Sequence, residues 1–313
     1  MGTKPFSSQN KITEISISSE GHELSPRSTS TLTEISSPQS PHQKVSFGFR
    51  EVQASEKQKH VNNVFTSVAS SYDIMNDLMS GGLHRLWKQY LIQEVGVLKP
   101  ERVYSEGRVT GIRPVRVLDM SAGTGDISFR LLSLQQQNAE NPNDLASQLH
   151  VTLYDPNEAI LNEARKKASA LNFPSEVLDY KVGTAEDLSS IPNDSLDLYI
   201  ISFGLRNTTI VEKSLREAHR VLRRGGRFLC LEFSKVSDPV LREFYRIYSF
   251  NIIPLMGQAV AGDRDSYQYL VESIERFLDQ EQLLEKMRDA GFSHVSYENL
   301  TFGVVALHSG YKL

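Results

Sequence analysis

A glycine turn between an apolar run and a helix is the feature of this sequence best suited to bind a small ligand. The apolar run at 115–120 leads into the turn 121–125, with the sequence SAGTG, and a helical apolar pattern follows at once. Glycine has no Cβ, so it permits the turn and lets a ligand lie against the backbone. The helix adds unpaired N–H groups and the positive end of its dipole. The candidate ligand contacts here are Asp119, Gly123 and Gly125.

A carboxylate at the end of a second apolar run points to a nucleoside-type cofactor. Asp155 follows the run 151–154, where it can bind the two hydroxyls of a ribose. The turn lacks the third glycine of a dinucleotide fingerprint and the Lys-Ser/Thr pair of a P-loop. Asp119 would repel a pyrophosphate but suits a cation, which favours S-adenosylmethionine with its sulfonium and amino group. An ordinary strand-to-helix turn of an α/β protein is the alternative.

The composition is typical of a globular protein. The 313 residues, 39% hydrophobic and 23% charged, provide for one large α/β domain with additions or for two small domains. The net charge of −4 and the absence of a lysine-arginine run argue against a nucleic-acid partner. Cys230 is the only cysteine, and its apolar neighbours predict a buried structural thiol. We identify no cluster of metal-ligating residues and predict no metal, and no apolar run approaches the length of a membrane span.

The first 44 residues differ from the rest of the chain. They are rich in Ser and Thr, contain four prolines and lack apolar periodicity, which predicts a disordered tail at 1–44. One arginine against four glutamates is atypical of a mitochondrial transit peptide, although the abundance of Ser matches. We place the ordered domain at 45–313, with an N-terminal helical lid at 45–100 and a Rossmann-like core at 114–313.

Alternating strands and helices predict a doubly wound, mainly parallel sheet, because parallel neighbours require crossover helices. The predicted strands are 115–120, 150–155, 177–183, 196–202 and 227–233, and the predicted helices between them are 124–135, 157–171 and 208–222. Helices fill most of 238–290. Two closely joined strand-like runs, 293–299 and 302–308, end the chain, so the last strand is expected to be antiparallel.

The sequence outside this alternation predicts a lid and two loops. Helical patterns begin with 56–71 and precede the first strand, so they can fold over the cofactor edge of the sheet. Two polar stretches, 101–113 and 135–149, are expected to be surface loops without a catalytic role.

Several other segments resemble the ubiquinone/menaquinone biosynthesis C-methyltransferase family. They are 72–80 (YDIMNDLMS) with His84 and Trp87, 201–207 (ISFGLRN), 220–226 (RVLRRGG) continuing to 231–234 (LEFS), 265–274 and 303–308. The resemblance covers about residues 47–313, and 72–80 is its most specific segment. It implies the class I methyltransferase fold with a seven-stranded sheet, in agreement with the strand pattern.

The resemblance also implies a reaction and a location. The reaction is S-adenosylmethionine-dependent methylation of a ring carbon of 2-methoxy-6-polyprenyl-1,4-benzoquinol in ubiquinone (coenzyme Q) biosynthesis. The polar stretches resemble those of eukaryotic members. This likeness implies the matrix side of the mitochondrial inner membrane, with a peripheral membrane contact. It also implies a multi-subunit coenzyme Q biosynthesis complex, and a homodimer is left open. The apolar segment 250–260 is the expected membrane contact, with a buried helix lining the pocket as the alternative.

Two other functions are compatible with the same fold. One is an O-methyltransferase acting on a small phenol, and the other is a non-catalytic methyltransferase-like scaffold. The second is favoured by two departures from the family pattern, Ala122 where Gly is usual and Thr184 where Asn is usual. Arg223 and Arg224 replace a usual Lys-Pro pair, which we interpret as a turn variation.

Residue by residue, the resemblance assigns both binding and catalytic roles. The implied cofactor contacts are Thr124, Asp155, Thr184, Ala185 and Ser202. Arg206 directly follows the fourth strand and is expected to orient and stabilise the phenolate formed when the quinol loses a proton; an ion pair that holds the loop is the alternative. Tyr72 and Asn76 lie on the lid helix and are expected to bind quinol oxygens, with a core position as the alternative for Tyr72. His84 suits a general base by its pKa, with capping or packing as the alternative. Trp87, Met75 and Met79 are expected to pack.

Overall fold

The computed structural model of the chain describes residues 44–68, 72–138 and 145–313, without the side chains of residues 65, 68 and 72–74. It begins with a hairpin, β1 (Lys44–Phe47) and β2 (Arg50–Gln53), followed by α1 (Ala54–Val68), α2 (Tyr72–Ser80) and α3 (Leu83–Val95). The prediction of a lid made only of helices is therefore wrong at its start, because four-residue strands are too short to show a clear alternation. The rest of the predicted tail lies outside the described residues.

A second hairpin replaces the first predicted loop. Strands β3 (Glu101–Ser105) and β4 (Arg108–Arg113) pair through a two-residue turn, Glu106-Gly107, in which both residues have positive φ. This turn geometry matches the twist of a hairpin. The prediction of a loop is wrong, although the location at the surface is confirmed because the side chains of β3 are all exposed. Arg113 ties the hairpin to the core through an ion pair with Asp197 at 2.8 Å.

Seven strands form the central sheet. They are β5 (Val115–Met120), β6 (Leu149–Asp155), β7 (Leu178–Val182), β8 (Leu196–Ser202), β9 (Leu222–Phe233), β10 (Ser293–Leu300) and β11 (Val305–Tyr311). Their order is β10-β11-β9-β8-β5-β6-β7, and β11 is antiparallel to both of its neighbours. The predicted doubly wound sheet with an antiparallel last strand is confirmed, and that strand lies between β9 and β10.

The inner strands β5, β6 and β8 are buried on both faces of the sheet, which explains why they are continuous apolar runs in the sequence. In β8, Leu198 and Ile200 pack into one core layer, while Tyr199 and Ile201 pack into the other. The predicted turn at Arg223–Arg224 lies inside β9 as a bulge: Leu196 pairs with Leu222, but Leu198 already pairs with Arg227.

Eight further α-helices of the described residues cover the sheet and its carboxyl edge. They are α4 (Asp126–Asn138), α5 (Leu145–Gln148), α6 (Glu158–Ala170), α7 (Val211–Val221), α8 (Pro239–Asn251), α9 (Ile253–Ala261), α10 (Arg264–Arg276) and α11 (Gln280–Asp289). The described part of the second predicted loop, 135–149, is thus the end of α4, the short α5 and the first residue of β6. Side-chain caps separate the C-terminal helices: Asp238, Asp263 and Asp279 each accept amide hydrogen bonds at the start of α8, α10 and α11.

Candidate active site

Asp155 connects the ends of two neighbouring strands. Its Oδ2 accepts a hydrogen bond from the Gly123 amide at 3.0 Å, and its Oδ1 accepts one from the Asn157 amide at 2.8 Å. Burial raises the pKa of the Asp155 carboxyl, while the two amide hydrogen bonds act in the opposite direction. Gly123 has a φ of +56°, a conformation that favours glycine. The carboxylate has further lone pairs for a ligand.

A cavity of about 300 Å³ lies at this edge of the sheet. The structure brings together around it seven of the eight predicted cofactor contacts: Asp119, Gly123, Thr124, Asp155, Thr184, Ala185 and Ser202. The eighth, Gly125, does not line the cavity. A Cβ at Gly125 would lie 2.6 Å from the ring of Phe129, so this glycine permits the close packing of α4 on the sheet.

Asp119 lines this cavity and also forms hydrogen bonds within the protein. Its Oδ2 accepts hydrogen bonds from the Ser128 hydroxyl at 2.6 Å and from the Ser128 amide at 3.2 Å. Burial raises the pKa of Asp119 to about 7. The sequence predicts that this carboxylate is available to a cation. Because Ser128 binds Oδ2, only the rest of the carboxylate can serve that role.

Ser202 presents an unsatisfied polar atom to the same cavity. Its hydroxyl is buried and has no hydrogen-bond partner among the described residues. Buried polar atoms are normally paired, so an unpaired one beside a cavity is a candidate ligand contact. Ala122 and Thr184, the two departures from the family pattern, also line this cavity.

Helix α1 forms a wall of this first cavity, and its lining residues were not predicted as site residues. It contributes four residues: Gln58, Val61, Asn62 and Thr66. The Thr66 hydroxyl accepts a hydrogen bond of 3.0 Å from the Asn157 side chain, next to Asp155. This contact places α1 over the carboxyl edge of the sheet, where the lid was predicted.

A second cavity, of about 440 Å³, adjoins the first. Phe203 and Lys88 line both cavities, so they mark the junction. Phe203 has a φ of +57°, which is uncommon outside glycine and clusters at functional sites. Gly204 follows it because a Cβ there would lie 2.4 Å from the Cβ of Ser121. Close packing of the turns after β5 and β8 therefore shapes the junction.

The second cavity is mainly apolar and aromatic. Its residues on α8 and α10 were not predicted as site residues: Tyr245, Tyr248, Tyr267, Tyr269, Leu270 and Ile274. Two of these tyrosines stand in the segment 265–274, for which the resemblance supplied no role. The Tyr269 hydroxyl donates to Asn207 at 3.0 Å, which links α10 to the segment after β8.

Arg206 lies at the edge of the second cavity in an ion pair with Glu232. Its Nη1 is 2.9 Å from Glu232 Oε1 and 2.5 Å from the Phe203 carbonyl oxygen. The guanidinium also lies over the Phe233 ring, 5.4 Å from its centroid. Its Nε is buried without a hydrogen-bond partner in the described part of the chain. The predicted ion pair is therefore present and uses Nη1, whereas the buried Nε donor is not used by it. Glu232 was missed as a site residue because its partner lies 26 residues away.

The structure places the predicted lid residues in different surroundings. Asn76 and His84 line the second cavity. Tyr72 is the first residue of α2, but its side chain is outside the described part, so its contact with the quinol stays a prediction. Met75, Met79 and Trp87 pack in hydrophobic clusters, as predicted, and they also line this cavity. The Trp87 Nε1 donates to the Thr301 hydroxyl at 2.8 Å.

The described residues contain neither a cluster of metal-ligating side chains nor a helix that could span a membrane. No group of three His, Cys, Asp or Glu side chains there is arranged to hold a metal ion. None of the helices in that same part of the chain combines the length and the apolar character needed to cross a membrane.

Comparison with known proteins identifies what the chain is similar to. It is 47% identical to the mitochondrial 2-methoxy-6-polyprenyl-1,4-benzoquinol methylase of Arabidopsis thaliana, over 86% of this chain and 90% of that protein. It is 43% identical to the ubiquinone/menaquinone biosynthesis C-methyltransferase UbiE of Rickettsia bellii (strain RML369-C), over 85% of this chain and 98% of that protein.

A solved structure supports the fold. The crystal structure of a SAM-dependent methyltransferase from Thermotoga maritima superposes with a TM-score of 0.50 at 18% identity, covering 80% of this chain and 99% of that one. Residues 52–312 match the ubiE/COQ5 methyltransferase family. With this match and the two relatives, the chain belongs to the ubiE/COQ5 methyltransferase family.

Proposed function

We propose that this protein transfers a methyl group from S-adenosylmethionine to a ring carbon of 2-methoxy-6-polyprenyl-1,4-benzoquinol in ubiquinone biosynthesis. The chain is an S-adenosylmethionine-dependent methyltransferase by family, and relatives at 43–47% identity are named for quinone methylation. The observation that carries the proposal is the pair of adjoining cavities that share Phe203 and Lys88. One has polar groups placed for a nucleoside, and the other is apolar and aromatic, as a polyprenyl quinol requires.

The cofactor cavity fits S-adenosylmethionine. When bound, this cofactor supplies a methyl group on a sulfonium, which is already activated for transfer. Asp155 would bind the ribose hydroxyls, because its carboxylate is held in place by two amides and still has free lone pairs. The unpaired Ser202 hydroxyl and the turn at Gly123 and Thr124 supply further polar contacts.

The second cavity suits a ring that carries a long apolar tail. Its volume of about 440 Å³ is within the usual range for a small-molecule site, and aromatic residues form much of its wall. Leu78 and Leu83 belong both to this wall and to the exposed surface of the protein. We therefore place the ring beside Phe203 and the polyprenyl tail toward these two leucines.

Arg206 is the group best placed to stabilise a phenolate in this cavity. Loss of the quinol proton makes the ring carbon nucleophilic and leaves negative charge on the oxygen. A buried guanidinium that is already fixed by Glu232 and the Phe203 carbonyl does not need to reorganise when this charge forms. Its unpaired Nε is the donor we assign to the oxygen. Asn76 and Tyr72 are proposed to bind the quinol oxygens from the lid.

We further propose a peripheral membrane contact through the segment 250–260. Three apolar residues of this segment are exposed, namely Ile252, Leu255 and Val260, while Ile253 is buried and lines the quinol cavity. The exposed residues support a membrane contact, and the buried Ile253 supports a helix that lines the pocket. The two interpretations of this segment thus concern different faces of it. Four more exposed apolar side chains lie on the preceding helix, namely Val240, Leu241, Phe244 and Ile247.

The mitochondrion is the location that the names of the eukaryotic relatives support. The matrix side of the inner membrane, membership of a multi-subunit coenzyme Q biosynthesis complex and a homodimer stay predictions. Fractionation of mitochondria tests the first of them. We expect the protein to leave the membrane pellet on a carbonate wash and to be protected from protease in mitoplasts. Protein found only in the cytosol would contradict the location.

The reaction is tested with S-adenosylmethionine that carries an isotope-labelled methyl group and a short-chain 2-methoxy-6-polyprenyl-1,4-benzoquinol. We expect one labelled methyl group on a ring carbon, identified by NMR of the product. A labelled methoxy group would support an O-methyltransferase instead. Cofactor binding without any product would support the non-catalytic scaffold, and calorimetry with S-adenosylmethionine measures that binding directly.

A further inference from the structure

The connection between α2 and α3 brings Asp77 against His84. Gly81 and Gly82 both have positive φ, and the Gly82 amide donates to the Asp77 carbonyl at 2.9 Å. This tight turn leaves the Asp77 Oδ1 atom 2.8 Å from His84 Nε2. Arg85 contacts the same carboxylate with two nitrogens, at 2.7 and 2.5 Å, so the carboxylate is held in position.

The contact with Asp77 determines which nitrogen of His84 is left for a substrate. A carboxylate accepts hydrogen bonds, so Nε2 carries the proton and Nδ1 keeps a lone pair. Nδ1 is buried and has no hydrogen-bond partner among the described residues. His84 lines the proposed quinol cavity, so this lone pair belongs to a residue at the substrate site.

A capping role does not account for the His84 side chain. The backbone amide of His84 already receives a cap, because it donates to the Ser80 hydroxyl at 3.2 Å. The imidazole itself pairs with Asp77 through one nitrogen only. A packing role would equally leave the burial of an unsatisfied Nδ1 unexplained, since buried polar atoms are normally paired.

We propose that His84 is the general base that removes the phenolic proton of the quinol, and that Asp77 is its positioning residue. This inference rests on the proposed function, because it needs a phenol in the second cavity. It adds a proton acceptor to a site where Arg206 supplies only hydrogen-bond donors.

The protons and electrons balance over one turnover. The quinol O–H bond breaks and its proton moves to Nδ1, which gives an imidazolium held by Asp77. The ring carbon then forms a bond to the methyl carbon, and the sulfur–methyl bond breaks with its electron pair left on sulfur. The methylated ring carbon finally loses its own hydrogen to water as a proton, and His84 returns its proton to the ring oxygen.

The charged groups around His84 keep it ready to accept a proton. Burial lowers the pKa of His84, the Asp77 hydrogen bond raises it, and the nearby charges of Lys88 and Arg85 lower it, with a net decrease. Lys88 is itself paired with Asp126 at 2.8 Å. The imidazole is therefore neutral at neutral pH and becomes cationic only after it takes the substrate proton.

The first test compares pH profiles of methyl transfer for the parent and for His84→Gln. General-base catalysis typically contributes 10²–10⁴-fold, so we expect a loss of at least about 100-fold. The parent should lose activity as the pH falls through a pKa below the usual histidine range, and His84→Gln should lack this dependence. His60→Gln is the matched control, because His60 is exposed and lines neither cavity. Unchanged activity and pH profile in His84→Gln would overturn the proposal.

Two further variants keep the test decisive if His84→Gln folds poorly. In Asp77→Asn the pKa-raising charge is lost, so the acid limb should move to lower pH and the turnover should fall. In His84→Ala, added imidazole should restore part of the activity, which a purely structural role would not allow. An unshifted limb in Asp77→Asn together with no imidazole rescue would contradict the assignment.

A measurement without turnover separates this inference from the proposed function. In protein with ¹⁵N-labelled histidine, the His84 resonances should show a protonated Nε2 and an unprotonated Nδ1. The Nδ1 resonance should shift when a fully ring-substituted phenol analogue, which cannot be methylated, binds. A proton on Nδ1 would refute the base assignment even if the parent methylates the quinol. Conversely, a parent that binds the analogue at His84 but transfers no methyl group would refute the proposed function alone.

Discussion

Arg206 and Glu232 form a buried ion pair at the inner edge of the second cavity, with 2.9 Å between Nη1 and Oε1. The two side chains are only 5% and 1% exposed. Glu232 also accepts a hydrogen bond from the Arg206 backbone amide at 3.2 Å through its second oxygen. The pair thus fixes both the guanidinium and the chain segment that follows β8. The ion pair with Glu232 uses Nη1 of Arg206, whereas the catalytic donor that we propose is Nε. The two interpretations of Arg206 therefore concern different nitrogens of one side chain.

Arg206→Lys should separate these two roles. Lysine keeps the positive charge next to Glu232 but loses the fixed planar donors, so we expect methyl transfer to fall by about 10²–10³-fold. S-adenosylmethionine affinity, measured by calorimetry, should stay within a few-fold of the parent. As a comparison, Glu232→Gln should lower the free energy of unfolding by about 3–5 kcal/mol, because it leaves an uncompensated buried charge. Parent-like turnover in Arg206→Lys would exclude the catalytic assignment.

Asp155→Ala should weaken the binding of S-adenosylmethionine. The loss of charge-assisted hydrogen bonds to a buried ligand costs about 1.5–3 kcal/mol, which is about ten- to a hundredfold in Kd. Asp155→Asn is the comparison variant: its single amide oxygen can still accept the Gly123 hydrogen bond, while the Asn157 amide loses its acceptor and the charge is lost. We expect an intermediate Kd for it in calorimetry. Tight binding by Asp155→Ala would refute the ribose assignment.

Gly204→Ala should be destabilising for a purely steric reason, since the φ of Gly204 is −111° and causes no strain. The new methyl group would lie 2.4 Å from the Ser121 Cβ and 2.5 Å from its hydroxyl oxygen. We expect a loss of about 1–3 kcal/mol in urea unfolding. Ser121→Gly removes both atoms at a residue with φ of +57°, where glycine is favoured, so the double variant should recover most of the loss. No recovery would contradict this packing account.

Asp119→Asn should change how stability depends on pH. Burial raises the pKa of Asp119 to about 7 from its ordinary 3.8, so between about pH 4 and 7 the folded state binds a proton that the unfolded state has lost. The stability from this group is full below pH 4 and falls as the pH rises through 7. We expect Asp119→Asn to match the parent near pH 4 and to exceed it at pH 8 by up to about 4 kcal/mol. Parallel stability–pH curves from urea unfolding would contradict this expectation.

Removal of residues 1–40 should leave methyl transfer unchanged. The composition of this segment, rich in Ser and Thr and poor in apolar residues, predicts that it contributes no packed surface to the site. Removal of residues 1–48 also deletes β1, and with it the Phe47 ring that stacks on Tyr269 at a centroid distance of 4.2 Å. Because Tyr269 lines the quinol cavity, we expect the shorter chain to show a higher KM for the quinol. Kinetics of the two truncations test this difference directly.

The sequence alone was sufficient for the sheet and for the proximity of Asp155 to the glycine turn. Strands β5, β6 and β8 are buried on both faces, so each is a continuous apolar run whose ends are visible in the sequence. The carboxyl ends of parallel strands meet at one edge, which is why the sequence pattern alone predicts that Asp155 lies next to the glycine turn. The short hairpins β1–β2 and β3–β4 were missed because they lack a long periodic pattern.

Only the tertiary structure decided the substrate side of the site. Asp77 with His84 and Arg206 with Glu232 are pairs joined across a turn and across two strands, and local periodicity reports burial rather than partners. The second cavity, in which we propose that the quinol binds, forms where α2, α3, α8 and α10 converge on the sheet edge. A helix residue facing such a cavity has the same apolar character as one facing a core, so the sequence pattern is identical. Which apolar faces pack together and which leave a space between them depends on the crossing of helices that are distant in the chain.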